Sequence, residues 1–344
     1  MSRKQVTLAD IAARVGRDVS IPTVSRALRN EPGVSGELRE RIRKVAEELG
    51  YIAAPETTGR VAVITPVVDT WFYSSVLGGI ESELRTAGLD LLLYCLPTAD
   101  QRTAFFAALP HRRKVDAVIV LAAPIANTDR DLLTARGYPV ISVGAHTEGL
   151  PTIRFDDHEA ACKAVGHLIH QGHNRIAMIR TESVEGTAWD ADRHRYRGYR
   201  DQLAAAGLPF RADYVVSVRW GLDEGGAAMD RLLNIDEPLP TAVFCHSDEV
   251  AAGALRKLRN DARLPVPESI SVVAVDDHPI AEMINLTTVA QPARRQGERA
   301  ARAVIDHLAG RTPLDAASTV LPARRLVFRG STAPPPNDPT VARR

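Results

Sequence analysis

The sequence predicts a fold in two parts, an N-terminal all-α helix-turn-helix headpiece and an α/β core of two doubly wound parallel-sheet lobes. Residues Thr7 to Tyr51 carry three short amphipathic patterns in succession, each with its own start signal. From Arg60 onward, apolar runs of strand length without polar alternation are separated by amphipathic segments of helical length, which is the pattern of parallel strands covered on both faces. At 344 residues, with 45% hydrophobic and 25% charged side chains, the chain suffices for two or three compact soluble units.

The headpiece elements follow from local chemistry. Thr7 with Asp10 forms a capping-box pattern, and Leu8, Ile11, Ala12 and Val15 then share one helical face until Gly16 ends it. Ser20 caps a second helix in which Pro22 is tolerated in the first turn, Val24, Ala27 and Leu28 point inward, and Thr23, Ser25, Arg26 and Arg29 stay outside. Ser35 caps a third helix burying Leu38, Ile42, Val45, Ala46 and Leu49. Two helices about a turn, braced by a third, are the plan whose second helix lies in the DNA major groove. Small hydroxyl side chains can bond phosphates there, and an Arg fork can reach a guanine edge. A small helical bundle with a polar surface fits the pattern as well.

Charge agrees with a nucleic-acid contact at one end. The net charge is only +1, yet residues 1–60 hold eleven Lys/Arg against eight Asp/Glu. The 5% aromatic content argues against a single-strand stacking platform. Cys95, Cys162 and Cys245 are far apart in apolar segments and read as buried reduced thiols. No apolar leader and no membrane-length apolar run occurs, so a cytoplasmic, nucleoid-associated protein is expected.

The motifs V-T-L-A-D-I-A, S-x-x-T-V-S-R-A-L, V-S-x-x-x-R-x-R-I and A-x-E-L-G-Y, in this order, closely resemble the headpiece of the lactose-repressor (LacI/GalR) family of bacterial transcription regulators. The resemblance implies that Ile21 and Pro22 sit where the family reads its operators. It implies a base or phosphate contact for Arg26 and backbone contacts for Thr7, Thr23, Ser25 and Arg29. Two departures stand out. The turn from Gly16 to Ser20 is two residues longer than the family pattern, and the hinge-helix motif P-N-x-x-A-R-x-L is replaced by a short Ile-Ala-Ala-Pro-Glu-Thr-Thr-Gly-Arg run without a wedge leucine.

In the core, strands are expected at 61–67, 89–95, 117–121, 140–143, 175–179, 215–218, 241–245 and 272–275. Helices are expected at 74–87, 101–109, 129–135, 159–171, 193–206, 224–233, 248–259 and 294–308. This order is similar to the family's effector domain, which resembles a periplasmic sugar-binding protein. The expected boundaries are a headpiece over 1–52, a linker over 53–60 and an effector-binding and dimerisation domain over 61–331. Within that domain, lobe 1 is about 61–155 and 289–319, and lobe 2 is about 156–288 and 320–331. Residues 332–344, Pro-rich and polar, read as a disordered tail.

Ligands of such folds bind at the carboxyl ends of the strands, between the lobes. Trp71 and Phe72 follow the first strand and could press on a ligand face or simply pack. Trp220, in the loop after the 215–218 strand, could stack on a sugar ring or fill core. The resemblance implies effector contacts for Arg195, before Gly198-Tyr199, for Ser247 in C-H-S-D-E, for Asp276 in V-A-V-D-D-H, and for Gln291 in the crossover T-T-V-A-Q-P. One arginine, several acceptors and an aromatic platform suit a sugar or related polyol, with purines remaining open.

No cofactor or catalytic residue is expected. The first strand is followed by Thr65-Pro66-Val67-Val68-Asp69 rather than G-x-G-x-x-G, and no phosphate-binding G-x-x-x-x-G-K-[ST] occurs. His167, His170 and His173 resemble a metal cluster only superficially, since the H-E-x-x-H pairing is missing and His173 falls in a motif where the family's His is structural. A homodimer on a pseudo-palindromic operator is expected, as no C-terminal Leu repeat supports a tetramer. The runner-up is a cytoplasmic small-solute sensor whose DNA binding is weakened by the longer turn and shorter hinge.

Overall fold

The computed structural model describes residues 6–16, 18–28, 32–49, 51, 58–108, 115–135, 137–182, 189–236, 238–323 and 325–336. The chain divides into two compact units, 1–57 and 58–344.

The first unit is three helices, α1 (Leu8–Val15), α2 (Ile21–Leu28) and α3 (Gly36–Glu48). Thr7 and Asp10 complete the capping box, Thr23 N–H bonds the Ser20 hydroxyl at 3.3 Å, and Ser35 accepts from Leu38 N–H. Ile11, Val24, Ala27 and Ile42 are fully buried at the centre, with Ala12, Ala46 and Val19 beside them. The longer turn therefore contributes to the core: Gly16 takes φ +146°, and the chain returns through a Val19 N–H to Gly16 carbonyl bond that tucks Val19 inside. Arg41 ties α3 to the last turn of α1 through the Val15 carbonyl at 3.1 Å. Arg29 lies outside the described residues.

The second unit runs β1 (Arg60–Thr65), α4 (Trp71–Thr86), β2 (Asp90–Cys95), α5 (Ala99–Ala108), β3 (Ala117–Leu121), α6 (Asn127–Ala135), β4 (Val140–Val143) and β5 (Thr152–Phe155). It continues with α7 (Asp157–His170), β6 (Ile176–Glu182), α8 (Asp190–Ala205), β7 (Val215–Arg219), α9 (Leu222–Leu233), β8 (Ala242–Cys245), α10 (Asp248–Arg256), β9 (Ser271–Asp276) and α11 (Pro279–Met283). It closes with β10 (Thr287–Ala290), α12 (Ala293–Leu308), β11 (Thr319–Leu321) and β12 (Leu326–Val327).

The strands form two sheets, ordered β11-β5-β4-β3-β1-β2 and β12-β10-β9-β8-β6-β7, parallel except for β12 against β10. Central strands such as β3 and β9 are buried along their whole length, as their unbroken apolar runs require. The chain crosses between lobes at 155–157, 290–293 and 321–326. In lobe 1, α4 and α12 meet backbone to backbone at Gly79 and Gly297: a Cβ on either would run into the other helix's carbonyl oxygen, at Arg294 or Val76.

The structure shifts several expected boundaries. Thr58, Gly59 and Arg60 donate their amides to the Asp116 carboxylate at 2.6, 2.8 and 3.3 Å, so these linker residues belong to the core unit. The rest of the expected linker, 53–57, lies outside the described residues. Strand β10 begins at 287 and stays in the second sheet, whereas β11 reaches 321 in the first. Of the tail expected over 332–344, Thr332 bonds His167 and Ala333 bonds both His173 and Ser271, so these two belong to the core unit, while 337–344 lie outside the described residues. Cys245 is buried as expected, but Cys162 is half-buried and Cys95, on the edge strand β2, is exposed.

Candidate functional site: a recognition helix and an interlobe cleft

On α2 the helical period separates two faces. Val24 and Ala27 are buried, whereas Ile21 (48% exposed), Pro22 and Arg26 face outward and Thr23 and Ser25 are half-buried. Thr7 is exposed but its hydroxyl is held in the capping box, 2.6 Å from Asp10 Oδ2, and Thr23 shares a 2.8 Å hydrogen bond with Ser20. The outward surface of a short helix thus presents one arginine, two hydroxyls and a small apolar tip, the residue set that phosphates and base edges accept.

In the second unit a cleft of about 650 Å³ opens between the lobes at the carboxyl ends of both sheets. Lobe 1 lines it with Val67, Thr70, Phe72, Tyr73, Ala122, Gly144 and Ala145; lobe 2 and the crossover supply Trp189, Asp190, Ala191, Arg195, Trp220, His246, Asp276 and Gln291. Gly144, at φ +77°, lets the Phe72 ring lie against the end of β4, since any Cβ there would strike the ring.

Arg195 is the hub. It is 2% exposed, donates Nε–H to Asp157 at 2.8 Å and NH2 to Gln291 Oε1 at 3.1 Å, and bonds the His246 carbonyl through NH1 at 2.5 Å. Asp276 Oδ1 lies 4.0 Å from its guanidinium. Burial drives the Asp276 carboxyl well above its ordinary range despite the Arg195 charge. Asp276 also takes φ +139° and receives the Gln291 amide on its carbonyl, so the end of β9 and the crossover are locked together. Burial, aided by the Arg195 charge, lowers the His246 imidazole and favours its neutral form.

Three lining residues carry buried polar atoms without a hydrogen bond among the described residues: the Thr70 hydroxyl in lobe 1, and the Trp189 indole N–H and His246 Nδ1 in lobe 2, the last lying 3.4 Å from the Asp192 carboxylate. Buried polar atoms almost always find a partner, so the Thr70 hydroxyl and Trp189 indole N–H, in residues that line the cleft, are left with hydrogen-bonding capacity. Lobe-to-lobe bonds flank them: His146 N–H donates to Asp190 at 2.8 Å, and Trp71 N–H to Glu249 at 3.4 Å.

Of the seven residues expected here, Phe72, Arg195, Trp220, Asp276 and Gln291 come together in the cleft. Two do not. Trp71 points away, with its ring 5.6 Å from that of His278, and Ser247 is fully buried, its hydroxyl capping α10 through Val250 N–H. Reasoning from sequence missed Thr70, Tyr73, Gly144, Trp189 and His246. The ends of β4 and β8 would have pointed to Gly144 and His246, but Trp189 carries no sequence pattern of its own. His173 is held inside by Thr241, Ser271 and the Ala333 carbonyl, a structural position. No grouping of three metal-ligating side chains occurs among the described residues, nor does a helix long and apolar enough to cross a membrane.

Residues 7–54 match the model of bacterial regulatory proteins of the lacI family, and residues 165–332 match a periplasmic binding protein-like domain. The Escherichia coli (strain K12) HTH-type transcriptional repressor CytR is 31% identical over 340 residues, 95% of this chain and 96% of CytR. Streptomyces coelicolor HTH-type transcriptional regulator MalR is 30% identical over 96% of this chain and 98% of its own. Among solved structures, a transcriptional regulator CelR–cellobiose complex superposes with a TM-score of 0.69 at 28% identity, covering 95% of this chain and all of CelR. A LacI-family regulator from Enterococcus faecium with bound ribose gives 0.68 at 27% identity over 80% of this chain and 99% of its own. The headpiece, the paired lobes and full-length identity at this level agree: the chain belongs to the LacI family of bacterial transcription regulators, which are DNA-binding proteins and not enzymes.

Proposed function

We propose that this protein is a cytoplasmic repressor that binds a pseudo-palindromic operator as a homodimer and responds to a sugar or related polyol in the interlobe cleft. One observation carries the ligand half: the unpaired Thr70 hydroxyl and Trp189 indole N–H belong to different lobes and line the same cleft. A polyol bonding both would hold the lobes in one relation, with Phe72 and Trp220 available to its apolar ring faces and Arg195, Asp276 and Gln291 to its hydroxyls. That CelR was solved with cellobiose and the Enterococcus regulator with ribose supports the ligand class; the repressor title of CytR supports the direction of control.

The operator half rests on Thr7, Ile21, Pro22, Thr23, Ser25, Arg26 and Arg29, with Ile21, Pro22 and Arg26 as the outward tip of α2. Two headpieces on a two-fold axis read two half-sites, and a ligand that shifts one lobe against the other alters their fit, coupling effector and operator affinities reciprocally. The test is selection of genomic fragments by the purified full chain at low salt, with and without cellobiose, ribose and further sugars. Recovery of a palindrome whose occupancy one sugar changes is the expected result. Thermal stabilisation by a sugar without any enriched palindrome would assign the protein instead to solute sensing alone.

A further inference from the structure

Two of the crossovers, 290–293 and 321–326, border a second cavity of about 930 Å³ at the hinge, which shares only Asp276 and Gln291 with the cleft. Its charged lining is Arg295 and Arg299 from α12 of lobe 1 and Arg325, Asp277 and Asp276 from lobe 2. The neighbouring arginines of α12 are paired, Arg294 with Glu298 at 3.2 Å and Arg302 with Glu83 at 2.6 Å. Among the described residues, Arg295 and Arg299 have no hydrogen bond or ion pair. Asp277 does not balance them, because Arg325 and Arg329 already hold its two oxygens at 2.5 and 2.8 Å. The cavity therefore carries a surplus of positive charge.

Four residues apart on one helix, Arg295 and Arg299 project from the same face, with their backbones about 6 Å apart along the axis. Two such forks, with Arg325 across the crossover, can surround the oxygens of a tetrahedral anion, which guanidinium groups bind bidentately. Pro292, Leu321 and Pro322 complete the wall with apolar surface. We propose that this hinge cavity is a second ligand site, distinct from the effector cleft, that takes a phosphoryl group, free or on a small ester, between Arg295 and Arg299 of lobe 1 and Arg325 of lobe 2. An anion there joins the two lobes beside their pivots, so it is placed to bias cleft closure.

The test is isothermal titration of the full chain with inorganic phosphate, pyrophosphate and a hexose monophosphate at ionic strength held constant with sodium chloride. Saturable binding of one anion per chain is expected. The doubly substituted Arg295→Gln/Arg299→Gln protein should lose affinity at least roughly tenfold, whereas Arg26→Ala, in the basic headpiece, should bind as before. Tighter binding of the ester marks a phosphorylated metabolite as the ligand, and tighter binding of phosphate marks the free ion. Circular dichroism and thermal melting confirm that the double variant is folded. Unsaturable binding, an undiminished affinity in the double variant, or a loss in Arg26→Ala instead would overturn the site. So would a changed oligomeric state of the double variant, which would make the two arginines a subunit contact.

Discussion

The Trp220 indole N–H donates to Glu249 Oε2 across 2.6 Å, and the other Glu249 oxygen accepts the backbone N–H of Trp71 at 3.4 Å. Trp220 and Glu249 belong to lobe 2 and Trp71 to lobe 1, so one carboxylate both fixes an aromatic wall of the cleft and fastens the first turn of α4 to the opposite lobe. The Trp220 ring stands edge-on to His246 at 5.3 Å, which makes its orientation part of the cleft's shape.

Replacing Glu249 with alanine should therefore loosen closure as well as the tryptophan. A hydrogen bond to a charged acceptor contributes about 1.5–3 kcal/mol, so effector affinity is expected to fall roughly tenfold or more. Operator binding without effector should be unchanged. Titration calorimetry with the cleft ligand and operator gel shifts check the two halves, and unaltered effector affinity would remove Glu249 from the closure account.

Arg195→Ala should be mainly a stability defect. It strips the cation from buried Asp157 and removes the partner of Gln291 and of the His246 carbonyl. Breaking a buried pair in this way costs about 3–5 kcal/mol. Denaturant unfolding of the second unit should show that loss, and a change under about 1 kcal/mol would mean the guanidinium is not the organising group.

Stability should also depend on pH through Asp248. Burial pushes its carboxyl up to about 7, against hydrogen bonds from the Thr288 hydroxyl and His278 N–H. Its folded-state value is thus raised above the unfolded value of about 4. The folded protein holds a proton that the unfolded chain releases, so the contribution is full below about pH 4 and is lost as pH rises through about 7. Asp248→Asn should lose less stability than the natural protein between pH 5 and pH 8, by on the order of 1 kcal/mol or more. Parallel pH profiles would contradict this.

Arg26→Ala should weaken operator binding by about 1–3 kcal/mol, or roughly ten- to hundredfold, while sedimentation shows the same oligomer. Arg26 is exposed on α2, whose buried side chains are Val24 and Ala27, so its truncation leaves the packed face intact. An unchanged affinity for a cognate site would deny α2 the recognition role.

Much of this architecture was legible because it is periodic. The apolar runs at 117–121 and 272–275 and the helices between them announced two parallel sheets, and β3 and β9 lie where those runs fall. Strands β5, Thr-Ile-Arg-Phe, and β10, Thr-Thr-Val-Ala, went unseen because they are four residues long and open on threonine. Their place is decided by the crossovers, which are tertiary. The same holds in the cleft. Asp276 stands at an end that a strand pattern locates and Gln291 was placed by the T-T-V-A-Q-P motif alone, but Ser247 is turned inward by capping α10, and Trp189 enters through lobe packing that no local signal encodes. The paired glycines of α4 and α12 likewise gain meaning only once the helices touch.

The most direct test of the coupling between cleft and headpiece is operator affinity, by fluorescence anisotropy on a palindrome selected with the full chain, with and without the sugar that shifts it. It should be measured for the natural protein and for Asp276→Ala. The account predicts equal operator affinity in the absence of sugar and a sugar response only in the natural protein. A full response in Asp276→Ala would place the effector outside this cleft and contradict it.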